Sequence, residues 1–323
     1  MSTALDRAYQ PGMGAGIRRR FPTPLERLIH LRTLPNLGMI QRSGLSYIAQ
    51  RSEERFFARG ETVFEYDDSI DSIHFIVEGS ISVDQEEIEV AVVKAPFAVG
   101  FHPVLSTGRV HQRMVALEDT VTLEISAAEM LSVIEEDFAF LETGLRQMTR
   151  QLVETQAKLE TQGELARTEP DEVPYPVDEL DIIQRLVTAR TGPLETANLE
   201  PLMQLVRQFE EIRVEPGHTF WSEGDEAHDG LTIVYGVVSC KSEQRTFRMG
   251  PGSSVGHLEA YGSLPRSYHA VAETKIVALR GSAESFFDVL EDHFELAMAT
   301  MGFVCDRLLE LNLRVAKANA QAL

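Results

Sequence analysis

The chain has 323 residues, with 50 Asp and Glu against 30 Lys and Arg, giving a net charge of −20. That length fits about two domains, and that charge opposes binding to nucleic acid, whose phosphates draw on clustered Lys and Arg. Cys240 and Cys305 are too few for a disulfide framework or a Cys-rich zinc site. No apolar run reaches the roughly 18 residues of a membrane span, and the N-terminus reads as no secretory signal, so a cytoplasmic protein is expected.

Residues 1–24 read as a basic, irregular head. Gly12, Gly14, Gly16, Pro22 and Pro24 punctuate it, and Arg18, Arg19 and Arg20 read as a solvated tail first and as a docking peptide for an acidic partner second. Residues 25–50 have helical spacing with a break at 35–38. From Arg55 to Ile125 the pattern turns to short apolar runs, with Ile73, Phe75 and Val77 alternating as in a strand and 84–89 a charged hairpin tip. Ser126 and Glu129 form a capping box opening a helix. Beyond it, Phe138, Leu141, Leu145, Met148, Leu152, Thr155 and Leu159 are spaced alternately three and four apart, a coiled-coil-like seam. A Pro-rich, acidic linker is expected over 168–177, then a helix capped by Asp178, then a second strand-rich block from about Glu210. A second seam closes the chain with Phe294, Met298, Met301, Cys305, Leu308, Asn312 and Val315. Asn312 would fix register if that helix pairs. The seams admit pairing within one chain or between two, a homodimer.

The chain is written twice. Gly60, Asp68 and Gly79 recur as Gly217, Asp225 and Gly236, all 157 residues on, and Gly100, Ala116 and 133–138 recur 156 residues on. Solenoid repeats run at about 20–50 residues, so this is a duplicated domain. The units expected are 25–167 and 178–323.

The repeated unit resembles the cyclic nucleotide-binding domain of the catabolite activator protein and kinase A regulatory subunit superfamily. The likeness lies in Gly60-Glu-Thr-Val-Phe64 with Asp67-Asp68, then His74-Phe-Ile-Val-Glu-Gly79. In the second copy it lies in Gly217-His-Thr-Phe-Trp221 with Gly224-Asp225, then Thr232-Ile-Val-Tyr-Gly236. The resemblance implies a mainly β fold with flanking helices (α+β): two tandem double-stranded β-helix (jelly-roll) domains, each followed by a long helix. It also implies a phosphate cassette, in which a short helix N-terminus, an Arg and a Glu hold the cyclic phosphate and ribose.

In the second copy Gly256 takes the cassette glycine and Arg266 its arginine. His257 stands at the Glu position, where an imidazole lacks a carboxylate's acceptor capacity. Leu258, Glu259 and Ser267 complete the expected ligand-binding set, with Tyr268 and His269 where the family has small residues. In the first copy Gly100 is retained, but Phe101 holds the Glu position and Val110 the Arg position. Arg109 is one residue out of register, which in a strand turns a side chain to the other face. A buried cyclic phosphate without a cation is costly, so this copy is expected not to bind. The histidines form no metal pattern, and no nucleophile–base pair emerges. A helix-turn-helix as in catabolite activator protein is not expected. Two readings remain: a non-enzymatic sensor of a cyclic nucleotide or related phosphate ligand through the second domain, relaying to a protein partner through its helices or basic head; or a ligand-independent scaffold of two degenerate domains.

Overall fold

A computed structural model describes residues 21, 23–34, 37, 40–66, 68–108, 110–161, 174–243 and 246–321. The basic head 1–20, Asp67, Arg109 and linker residues 168–173 lie outside the described residues.

The first half begins with α1 (Pro24–Leu31) and α2 (Arg42–Arg51). Strands β1 (Glu53–Phe57), β2 (Thr62–Phe64), β3 (Ser72–Glu78), β4 (Ser80–Gln85), β5 (Ile88–Lys94) and β6 (Ala98–Val99) follow. The short helix α3 (Phe101–Leu105), β7 (Gln112–Ala116), β8 (Thr120–Ser126), α4 (Ala127–Glu136) and the long α5 (Phe138–Thr161) complete it. The second half repeats the order with α6 (Ile182–Ala189), a 3-10 turn at Gly192–Leu194, and α7 (Leu199–Gln208). Then come β9 (Glu210–Val214), β10 (Thr219–Trp221), β11 (Asp229–Tyr235), β12 (Val238–Lys241), β13 (Thr246–Met249) and β14 (Ser254–Val255). It ends with α8 (His257–Gly262), β15 (His269–Ala272), β16 (Ile276–Ser282), α9 (Ala283–Asp292) and α10 (Phe294–Gln321).

Each half pairs its strands into two antiparallel four-stranded sheets, β1-β8-β3-β6 with β2-β7-β4-β5, and β9-β16-β11-β14 with β10-β15-β12-β13. The orders match strand for strand, so the fold is two tandem jelly-roll barrels with helices. Inward residues fill each barrel: Phe64, Ile76, Ile81 and Met114 in the first, Trp221, Ile233, Val238 and Ala270 in the second. The hairpin tip at Glu86 and Glu87, both at positive φ, joins β4 to β5.

The third core lies between the barrels and belongs to both halves. Leu141, Leu145, Met148, Leu152 and Leu159 of α5 share one cluster with Met301, Cys305 and Leu308 of α10. Cys305 Sγ lies 3.4 Å from Met148 Sδ. The helices thus pack against each other within the chain. Asn312 is only half-buried, and Leu311, fully buried, takes the stripe. A straight helix at 3.6 residues per turn drifts away from a 3.5-residue repeat.

The helix expected at Asp178 begins three residues later. Asp181 caps α6, accepting from Gln184 N at 2.8 Å while Gln184 Oε1 accepts from Asp181 N at 2.9 Å. Residues before it are held extended: Arg213 donates to Pro176 O at 2.7 Å and Tyr175 stacks edge-on against Tyr235. The part of the expected linker that is described is therefore lashed to the second barrel. The lead helices are a further duplicated device. Thr23 and Glu26 box the start of α1 as Asp181 and Gln184 do α6. Arg27 then donates to Phe21 O, Ala49 O and Ser52 O, and Arg185, 158 residues on, to Leu180 O, Phe209 O and Glu211. Each arginine ties its helix to the end of the next helix, where the chain turns into the barrel.

Candidate functional site

In the second half β14 ends at Gly256, which caps α8 at φ 78°. A Cβ there would lie 2.3 Å from Arg266 Nη1 and 2.8 Å from the Trp221 ring, so both the backbone conformation and the close approach call for glycine. The loop after α8 returns Arg266 beneath this turn. Its backbone is fixed by the repeated Asp225 loop: Arg266 N donates to Asp225 O at 2.8 Å and Gly224 N to Arg266 O at 2.9 Å.

Arg266 is 4% exposed, and both of its terminal nitrogens are engaged by the protein's own groups. Nη1 donates to Gly256 O at 2.9 Å, Nη2 to Asp229 Oδ1 at 2.7 Å, and the guanidinium lies 3.9 Å from the Trp221 ring centroid. Arg280 Nε reaches the other oxygen of Asp229 at 3.5 Å. Asp229 thus sits between two guanidinium groups.

The interior of the cassette is filled from its own chain. Tyr268, 7% exposed, packs against Trp221 and Phe247, and its hydroxyl accepts from Gly256 N at 3.0 Å. Glu259, 5% exposed, accepts from Ser267 Oγ at 2.5 Å. Its carboxylate faces the barrel interior. After burial, it is the next cause pushing the Cys240 thiol up to about 12 and the Tyr268 hydroxyl well above its usual value. His257 is pressed on Gly230, where a Cβ would lie 2.4 Å from its ring. Burial first, then the Arg266 charge, push this imidazole down to about 4. Leu258 packs at the edge of the central core. Arg266, His257, Glu259 and Ser267 are therefore brought together around Gly256, Arg266 bonded to Gly256 and Asp229 and Glu259 to Ser267. As placed, the Gly256 amide is taken by the Tyr268 hydroxyl, and the terminal nitrogens of Arg266 by Gly256 O and Asp229.

Among the described residues, Arg266 Nε, Trp221 Nε1 and His257 Nδ1 are buried without a hydrogen-bond partner. Asp229 and Trp221 are members of the site that the sequence reading did not assign. Tyr268 carried a signal, since β-strand alternation places it on the inward face with Ala270 and Ala272. Glu259 was assigned with the cassette, but nothing in the sequence showed that it pairs with Ser267.

In the first half Gly100 caps α3 at φ 90°. Phe101 packs against the central core, and Val110 is half-buried. Arg113 is turned to Glu65 at 3.3 Å. The polar feature of this barrel is instead His74, which contacts Thr122 Oγ1 at 3.0 Å and Ser72 Oγ at 3.3 Å, between the rings of Phe57 and Phe64. Burial pushes it down to about 4 despite Glu124.

Each cassette helix is held by the long helix of the other half. From α5, Arg146 donates to Tyr261 O at 3.1 Å and Ser263 Oγ at 2.9 Å, and Arg150 to Gly262 O at 2.5 Å, satisfying the carbonyl end of α8. From α10, Asp306 accepts from Ser106 and Thr107 just past α3. A cleft of about 520 Å³ opens beside α8, between α5 and α9, lined by Glu142, Arg146, Glu284, Phe287, Asp288 and Glu291. Its four acids do not suit an anionic ligand. Among the described residues no cluster of three or more His, Cys, Asp and Glu could hold a metal ion, and no helix is long and apolar enough to cross a membrane.

Comparison with known proteins agrees with the duplication. The family model described as the cyclic nucleotide-binding domain matches residues 54–137 and 211–293. No curated protein matches the chain. Among solved structures, the chain is similar to a regulatory subunit of a cAMP-independent protein kinase A from Trypanosoma brucei, at 14% identity over 86% of this chain and 91% of that one, with a TM-score of 0.33. The N-terminal domain of a transcriptional regulator from Streptomyces coelicolor A3(2) matches at 23% identity over 38% of this chain and 93% of that one, TM-score 0.35. A cyclic nucleotide-binding-like protein from Brucella abortus matches at 24% identity over 34% and 99%, TM-score 0.30.

Proposed function

Because the chain belongs to the cyclic nucleotide-binding domain family, once in each half, we propose that it is a non-enzymatic regulatory adaptor. Its two domains serve as a rigid, ligand-independent platform for a protein partner. The observation that carries this reading is the self-occupied cassette. Tyr268 takes the amide of Gly256, Gly256 O and Asp229 take Arg266, and Ser267 takes the buried Glu259 carboxylate. In the first half Val110 stands where the cation belongs.

The test is titration calorimetry and thermal shift with a panel of cyclic mono- and dinucleotides. The wild type gives no saturable heat and no rise in Tm. A ligand-dependent rise that disappears in Arg266→Ala would defeat the adaptor reading. A second reading, sensing of a cyclic nucleotide by the second domain with relay through the helices, draws support from the unpartnered Nε of Arg266 and Nε1 of Trp221. Buried donors without acceptors are costly. The same titration decides between the two.

A further inference from the structure

The duplicated lead helices carry more than their caps and tethers. Leu25 and Ile29 on α1 are 65% and 60% exposed; Ile183 and Val187, each 158 residues on, are 67% and 68% exposed. One outward apolar pair, spaced i and i+4 on one helix face, is thus presented twice. The arginine tether behind each helix fixes the face it shows. Among the described residues, the second copy places a run of acids just before its pair. Val177, 80% exposed, and the exposed Asp178 and Glu179 sit on the segment pinned by Arg213, and the exposed Asp181 caps the helix. The one cation of α6, Arg185, is turned inward to Phe209 O and Glu211.

We infer that the α6 face formed by Ile183 and Val187, with the acids Asp178, Glu179 and Asp181 just before it, is a docking surface for a basic amphipathic helix of a partner protein. An apolar stripe at i, i+4 covers the exposed pair, and flanking Lys or Arg meet the acids. Charge decides the occupant. The same face of a second copy would bring like charge to an acidic rim, whereas a cationic helix gains steering and contact from it. The α1 face, with the same apolar pair but, among the described residues, Glu26 and Arg32 beside it, is the built-in control. The inference rests on the adaptor reading only in needing a partner; peptide binding and nucleotide binding are separate titrations, so either fails without the other.

The experiment uses the full chain and a labelled helical peptide with Leu at i and i+4 flanked by Lys, read by fluorescence anisotropy at low and moderate salt. A same-length peptide with Glu in place of Lys is run beside it. The Lys peptide binds saturably, and more weakly as salt rises. Ile183→Ser with Val187→Ser weakens it at least roughly tenfold, in line with the loss of two buried aliphatic contacts. Asp178→Asn with Glu179→Gln weakens it several-fold, and Leu25→Ser with Ile29→Ser leaves it unchanged. All these positions are exposed, so circular dichroism should match the wild type. The inference is overturned if the Lys peptide does not bind, if the Glu peptide binds equally, or if the α6 variant binds like wild type. It is overturned too if sedimentation shows a dimer that the α6 variant splits, since the occupant is then a second copy.

Discussion

His74 and His257 are both held near pKa 4, mainly by burial. Their unfolded value is about 6.5. A depressed folded value means that the unfolded chain takes up the proton first, so their contribution to stability is full above about pH 6.5 and is lost as pH falls toward 4. Each should cost about 2 kcal/mol between pH 7.5 and 5. Urea midpoints across that range should fall, and His74→Leu, which copies Leu231 at the equivalent place in the second barrel, should flatten the slope. Arg266 offers a second test. Arg266→Ala removes the partner of Asp229 and the plane stacked on Trp221, and should destabilise by about 3 kcal/mol. Arg266→Lys should not restore it, because an ammonium has neither the fork nor the plane. The resemblance to the family's phosphate cassette placed Arg266 beside Gly256. It could not show that Asp229, 37 residues upstream, had already claimed the guanidinium, because that contact is made only when β11 and the loop before β15 close on each other.

The elements divide by whether their signal is local. Caps are local, so the helix at Ser126 was legible to the residue. At α6 Asp181 with Gln184 was as readable as Asp178, and the completed box decides the start. The stripe on α5 was legible because a buried face repeats every three and four residues; its partner was not, because any apolar helix would serve. The contacts between α5 and α8 were invisible for the same reason. They predict a specific response. Arg146→Ala with Arg150→Ala should speed hydrogen exchange in α8 while leaving α3 protected. Asp306→Ala should do the reverse at 105–107. Each lost bond is worth about 1 kcal/mol. Equal protection of both cassette helices in both variants would show that the crossed contacts hold neither in place.

At the scale of the molecule, the barrels keep separate cores while the helices share one. A perturbation in the shared core must therefore be felt in both halves. Leu145→Ala, at a 1% exposed site of that core, should cost about 3 kcal/mol and lower the melting of first-half and second-half probes together. Wild-type unfolding should be a single transition by near-ultraviolet dichroism and by fluorescence of Trp221, the lone tryptophan. The crossing of the long helices has a further meaning. Two identical subunits docked in this way would separate on dilution and would carry every substitution on both sides. Joining them in one polypeptide makes the encounter intramolecular and frees each side to drift alone. That is how valine can stand at 110 while arginine stands at 266 within what is otherwise a symmetric object.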